Sequence, residues 1–223
     1  RELIGTTTEL ASTQSTTDFF EDMILSNVMS CVALITGNSL WATEYDKEVV
    51  KFHSELTSQG KPVREERALH MFKGHFLDFA PRLNKTTIQE GLFDVKKDLY
   101  RFPNMMISTL AYYFGLEEKG TWERLQAFVK RGIFSAEGAS NIQRVMEKIL
   151  LLRYRTHCFY GMERDEVHHK SFFRKVDESE KMNVYELSED DREQILEMYK
   201  VFFPLERAAR VFCQNPQQLD VLS

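Results

Sequence analysis

Apolar residues in this chain recur three and four positions apart, and the rows they form open at capping side chains and close at glycines. That pattern commits most of the chain to amphipathic helices. Residues 135–161 carry it most clearly: Ser135 stands as an N-cap, Ile142, Met146 and Ile149 fall on one face, and Gly161 supplies a C-cap. Asp18 opens a similar row through Phe20, Met23, Ile24, Val28 and Cys31 to about Thr36, which Gly37 and Asn38 end. A second helix is expected from Leu40 to about Leu56, followed by a break over 59–62. Residues 64–83 place Leu69, Phe72, Phe76, Phe79, Ala80 and Leu83 on one face. Pro103 suits the first turn of a helix ending at Gly115, Thr121 caps Trp122–Arg131, and Ser188 with Asp191 makes a capping-box start for a last helix to about Cys213, kinked at Pro204. The segments 86–101 and 162–187 read as loops, the first with one short extended piece and the second with a short helical turn. No strand-like alternation of any length occurs. The expected fold is all-α, an antiparallel bundle of about seven helices.

Charge and cysteine content narrow the function. The formal net charge is -5, so no global field attracts nucleic acid or anionic lipid, and any anion site must be a local cluster. Cys31, Cys158 and Cys213 lie in or beside apolar helical rows and read as three reduced, packed thiols of a cytoplasmic protein. No apolar run approaches the ~20 residues of a membrane span. The chain begins at Arg1 rather than Met, which suggests a piece of a longer protein.

Two segments concentrate cations. In DVKKDLYRFP (94–103), Lys96, Lys97 and Arg101 flank Tyr100 just before an expected helix start, where free N–H groups and the helix dipole favour anions. Three cations there suit a phosphate, and Tyr100 could stack on a base; the residues alone favour a solvated loop balanced by Asp94 and Asp98. In LLLRYRTHCFYG (150–161), the row Ile142, Met146, Ile149, Arg153, His157, Tyr160 carries an apolar stripe into charge. An arginine on such a stripe requires a partner. Glu206 interrupts the apolar row Ile195, Tyr199, Phe202, Ala209, Cys213, so a structural Arg153–Glu206 ion pair is expected, with an arginine facing a phosphate or carboxylate in a cleft as the rival reading. Arg155 lies on another face and His157 reads as a core histidine. Acidic pairs such as Asp165–Glu166 look solvated, and the adjacent His168 and His169 lack the arrangement of a metal site.

Several segments, in order, resemble the nucleotidyltransferase substrate-binding domain, the helical region that follows the catalytic domain in proteins similar to the protein-PII uridylyltransferase. RELIGTTTELASTQS (1–15) is similar to the stretch after the catalytic sheet. VALITGNSLW (32–41) is similar to a helix–Gly-Asp–Leu junction, with Asn38 where Asp is usual. DVKKDLYRFPNMMISTLAYYFGL (94–116), TWERLQAFVKRGIFSAEGASNI (121–142), LLLRYRTHCFYG (150–161) and LSEDDREQILEMYKVFFPLERAARVF (187–212) resemble the helices that follow. The resemblance implies that residues 1–40 are the remnant of, or connection from, a catalytic domain and that 41–223 form the helical substrate-binding-type domain. It also implies substrate- or phosphate-facing roles for Lys96, Lys97, Arg101, Arg153, Arg155 and His157.

In that family the catalytic half carries Gly-Ser followed by an Asp-x-Asp pair that binds two divalent metals. Neither occurs in residues 1–223, so no catalytic residue or metal ligand carries over to any position here. The resemblance therefore implies a chain that is silent alone, holds no cofactor itself, and partners an upstream catalytic domain; Mg2+ and a nucleoside triphosphate belong to the parent protein, and neither membrane nor nucleic acid is expected as a partner. The rival expectation is a noncatalytic helical protein-interaction or regulatory module of a larger signalling protein.

Overall fold

The structure, a computed structural model, describes residues 38–82, 93–169 and 184–217. Six α-helices lie among them: α1 (Ser39–Ser54), α2 (Val63–Asp78), α3 (Arg101–Tyr113), α4 (Thr121–Lys130), α5 (Ala136–Tyr160) and α6 (Glu189–Gln214). They fall at the six places where the sequence pattern puts helices within these residues. The helix expected over 18–36 lies outside the described residues, as does most of the proposed remnant 1–40. No described helix is long and apolar enough to cross a membrane.

The helix ends follow local chemistry. Ser135 Oγ accepts from Gly138 N, and Gly161 ends α5 at φ +67°, a left-handed conformation that glycine adopts without a Cβ penalty. Ser188 and Asp191 form the reciprocal capping box at the start of α6. Pro204 lies inside α6, which continues through it to Gln214.

The main departure is at 93–103. Helical structure begins there at Val95 rather than at Pro103, as one π turn, Val95–Tyr100, that runs directly into α3. Asp94 caps it: its Oδ1 accepts from Lys97 N at 2.8 Å, while Asp98 Oδ2 accepts from Asp94 N at 2.8 Å. Pro103 thus sits within the helix, where its ring crowds the carbonyl of Leu99. The wide turn ahead of it, with Arg101 N–H reaching back to Lys96 O, gives that crowding room.

Of a small sheet, only the short extended piece expected within 86–101 was legible, where its first strand falls. β1 (Phe93–Asp94) pairs antiparallel with β2 (Glu166–His169), which pairs parallel with β3 (Tyr185–Leu187). Residues 166–169 and 185–187 are therefore strand, not loop; the helical turn expected within 162–187 has no counterpart among the described residues of that stretch. The sheet matters because it sets the π turn beside the C-terminal end of α5.

The core forms around α3, which packs on α2, α4 and the π turn, while α6 reaches α2, α5 and β3. Phe72, Phe102, Phe128, Phe202 and Phe212 are fully buried. Phe212 of α6 meets Phe72 of α2 at 6.3 Å and Tyr113 of α3 at 4.9 Å, edge to face, so aromatic geometry locks the last helix to the first core layer. Tyr112 and Phe114 pack against this core, as does Trp122. Cys213 is half-buried, but Cys158 is exposed, so the expectation of packed thiols fails at that position.

Two buried histidines report on this core. His75 Nε2 meets Thr109 Oγ1 at 3.0 Å, and His53 lies edge-on to Tyr112. Burial pushes both down to about 4 from the ordinary 6.5, with Arg67 and Arg64 adding to the effect on His53. Between pH 4 and 6.5 the unfolded chain binds protons that these folded rings refuse, so stability falls as pH drops through that window. We expect each histidine to contribute a slope of about 1 kcal/mol per pH unit. Urea unfolding at stepped pH checks this; His75→Gln should flatten the profile by one histidine's share, and an unchanged slope would contradict it.

Candidate functional site

The C-terminal turn of α5, the connection to β2 and the π turn meet in a cluster of opposite charges. Arg153 emerges from the buried row Ile142, Met146, Ile149. Its Nε donates to Asp165 Oδ1 at 2.7 Å and its Nη2 to Asp165 Oδ2 at 3.1 Å, a two-pronged pair. Asp165 is only 7% exposed, and its backbone oxygen accepts from Val95 N at 2.9 Å, extending the β1–β2 pairing into the π turn. His157 Nε2 lies 3.3 Å from Asp165 Oδ1. The Tyr100 ring backs the Arg153 guanidinium at 5.0 Å.

A second carboxylate closes the outer side. Glu163 Oε1 accepts from Lys96 Nζ at 2.8 Å and from Arg153 Nη2 at 3.4 Å. Its side chain is 64% exposed, in contrast to the buried Asp165. Burial pushes the Asp165 carboxyl up, but the Arg153 hydrogen bonds and charge, with His157 adding, outweigh it and hold it below its ordinary value. The Lys96 hydrogen bond and charge, with Arg153 adding, lower that of Glu163. The same contact with Asp165 raises the already high pKa of Arg153.

Four of the seven residues singled out in the sequence thus meet here: Lys96, Tyr100, Arg153 and His157. The other three lie elsewhere. Lys97 pairs with Asp94 of its own turn at 3.3 Å, and Arg101 stacks over Phe79 at 5.3 Å. Arg155 is exposed, as expected, yet reaches across to the buried Asp191 at the start of α6. Burial alone would raise the Asp191 carboxyl; Arg155 and Ser188 bring it below its ordinary value.

The Arg153–Glu206 pair does not form. Glu206 is taken by Arg210 one turn on, at 2.8 Å, and Arg153 by Asp165. A contact four residues away on the same helix costs less chain ordering than one between helices. Sequence reasoning also missed Asp165, which stands in a charged run but is buried, and Glu163. The signal available was the arginine at the end of an apolar stripe, with acidic residues just past its C-cap. His168 is buried in β2 rather than in a charged loop. A hydroxyl that no sequence pattern flagged ties the region together: Tyr160 Oη donates to Glu166 O at 2.9 Å and accepts from Tyr185 N at 3.0 Å. Among the described residues no group of three or more His, Cys, Asp or Glu could hold a metal ion.

A family model described as "Putative nucleotidyltransferase substrate binding domain" matches residues 67–211, well over half of the chain and all of the cluster. The chain belongs to that family. No curated protein matches it. In this corner the donors of two cations, Lys96 and Arg153, converge on one oxygen of the exposed Glu163 side chain.

The two carboxylates should separate in stability measurements. Asp165→Asn leaves Arg153 facing a neutral amide at a largely buried position, with an expected loss of about 2–4 kcal/mol. Glu163→Gln removes only an exposed partner and should leave the unfolding midpoint in place. Chemical denaturation of both variants checks the contrast; equal midpoints would show that the inner pair does not hold this corner together.

Proposed function

We propose that this chain is the helical, substrate-side region of a nucleotidyltransferase-like protein, and that it performs no nucleotidyl transfer alone. On this reading residues 1–40 lead from a catalytic domain that holds the metals and the reacting phosphates, and 41–223 close over the substrate. The observation that carries the proposal is the convergence of Lys96 and Arg153 on a single exposed oxygen, within a chain of the substrate-binding family. A phosphoryl oxygen offers these donors the same acceptor that the Glu163 carboxylate does.

The roles divide by exposure. Lys96 meets the phosphate directly, Arg153 contributes the second N–H of Nη2 while Nε and the first N–H of Nη2 stay on Asp165, and the Tyr100 ring supports the guanidinium. His157, on the same carboxylate, lies within reach of the same face. Lys97, held on Asp94 of its own turn, and Arg101, held over Phe79, stay outside this pair and are not assigned to the phosphate. Arg155 braces α6 rather than binding. The chain carries neither Gly-Ser nor Asp-x-Asp, which supports the absence of turnover without an upstream domain. The same reading takes the protein to be cytoplasmic, with nucleoside triphosphates at hand.

A second reading, a noncatalytic interaction or regulatory module, draws on the exposed Leu151, Tyr154, Phe159 and Met162 at and just beyond the end of α5. Titration calorimetry of the chain with ATP and Mg2+ separates the two. The first reading requires saturable binding that weakens about tenfold or more in Lys96→Ala, the size of one charge-assisted hydrogen bond. Lys200→Ala, an exposed lysine paired within α6, should bind as the unaltered chain does. Absence of binding overturns the first reading.

A further inference from the structure

We infer that Glu163 is a built-in competitor for the site: its carboxylate occupies the position of a ligand's phosphoryl oxygen and is displaced when a phosphate chain binds. The inference rests on the phosphate-binding reading of Lys96 and Arg153. It adds how that site is occupied when empty of ligand and which residue sets its affinity.

Three features of the geometry lead to it. The first is the shared acceptor. Lys96 Nζ and Arg153 Nη2 come from different elements, the π turn and α5, yet both point to Oε1 of Glu163. One oxygen holding two cationic donors is the arrangement a terminal phosphoryl oxygen would take.

The second is that the Arg153 guanidinium does not depend on Glu163 for its placement, and that the backbone carrying Lys96 does not either. Both oxygens of Asp165 hold the inner edge of Arg153, and Tyr100 backs its plane. Lys96 springs from a turn fixed by the Asp94 and Asp98 cap and by the Val95–Asp165 backbone bond. Departure of Glu163 leaves the guanidinium where it is and the Lys96 ammonium, on its flexible stem beside it, without a partner.

The third is that Glu163 can leave. It follows the left-handed C-cap Gly161 on the short connection before β2. Its side chain is more exposed than Lys96, at 64% against 41%. Exposed ion pairs are weak because water solvates both partners when they separate. Asp165, two residues on, has the opposite character and stays. The connection therefore carries one carboxylate that builds the site and one that fills it.

Charge sets the ligand class. Lys96, Arg153, Glu163 and Asp165 sum to zero, so a monoanion replacing Glu163 only exchanges one charge for another. A di- or triphosphate brings further charge to the same donors and displaces Glu163 with a net Coulombic gain.

Glu163→Gln tests this directly, with ATP plus Mg2+ and, separately, inorganic tripolyphosphate as probes in titration calorimetry. The amide keeps the shape and removes the competing charge. Binding of both probes should tighten about two- to fivefold, the effect of removing one exposed ion pair that the ligand would otherwise have to displace. The gain should vanish when Lys96→Ala is combined with it. Glu137→Gln, an exposed carboxylate at the far end of α5, should change neither affinity, which separates local competition from a general loss of negative charge. If the unaltered chain binds, and Lys96→Ala weakens it, while Glu163→Gln leaves affinity unchanged or lower, the competitor role is wrong and the phosphate site stands. If neither the unaltered chain nor Glu163→Gln binds either probe, the phosphate site falls, and this inference with it. Tightening for ATP but not for tripolyphosphate would also overturn it, because the displaced group would then not be a phosphate mimic.

Discussion

The Arg153–Asp165 pair is the constraint on which this corner of the molecule depends. An arginine at the end of an apolar helical stripe cannot remain without a counter-charge, because an uncompensated charge at a largely buried position costs several kcal/mol. Asp165 meets that demand from the connection immediately after α5, and in doing so fixes the connection. Its backbone oxygen then takes Val95 N, which joins the π turn to the start of β2. One side chain and its own carbonyl thus tie the end of α5 and the start of β2 to a π turn that lies far earlier in the chain. Tyr160 does the complementary work on the other side of β2, bridging Glu166 and Tyr185 through one hydroxyl.

How much of this was legible from sequence follows from range. Helix ends are decided by side chains within four residues, so Ser135, Gly161 and the Ser188–Asp191 box could be read directly, and all are present. Strands of two to four residues carry no periodicity to detect, and their pairing is set by distant partners, so the sheet could not be read. Pro103 does lie in the first turn of α3, as its type suggests, but it carries no sign of the π turn that runs into that helix. The cations were legible as candidates but their partners were not. The reasoning that Arg153 needs an acid was sound; choosing Glu206 overlooked that Arg210, four residues on, already satisfies it. Asp165 was passed over because neighbours in sequence suggested solvent, whereas burial is decided by the fold.

The cationic residues therefore divide into two kinds. Arg155 on Asp191, with Ser188 on the same carboxylate, belongs to the start of α6 and has its partner within the protein's frame. Lys97 is similarly drawn to the cap of its own turn. Lys96 and the outer edge of Arg153 differ, because their common partner is a solvated side chain on a short connection. Only a charge of the second kind can exchange its partner for a ligand without loss to the fold. That distinction, rather than the number of basic residues in a segment, separates a binding surface from a structural network.

A net charge of -5 sharpens the point. Long-range attraction does not bring phosphates to this protein, so affinity has to come from short-range donors already in place. Preorganisation is what the inner carboxylate provides, since it holds the guanidinium before any ligand arrives. On the proposed reading, the outer carboxylate works in the opposite sense, lowering affinity for every anion by the same competition. Singly charged anions would gain least from displacing it, while a phosphate chain would bring further charge to Lys96 and Arg153 together. A domain that worked in this way would trade absolute affinity for discrimination by charge.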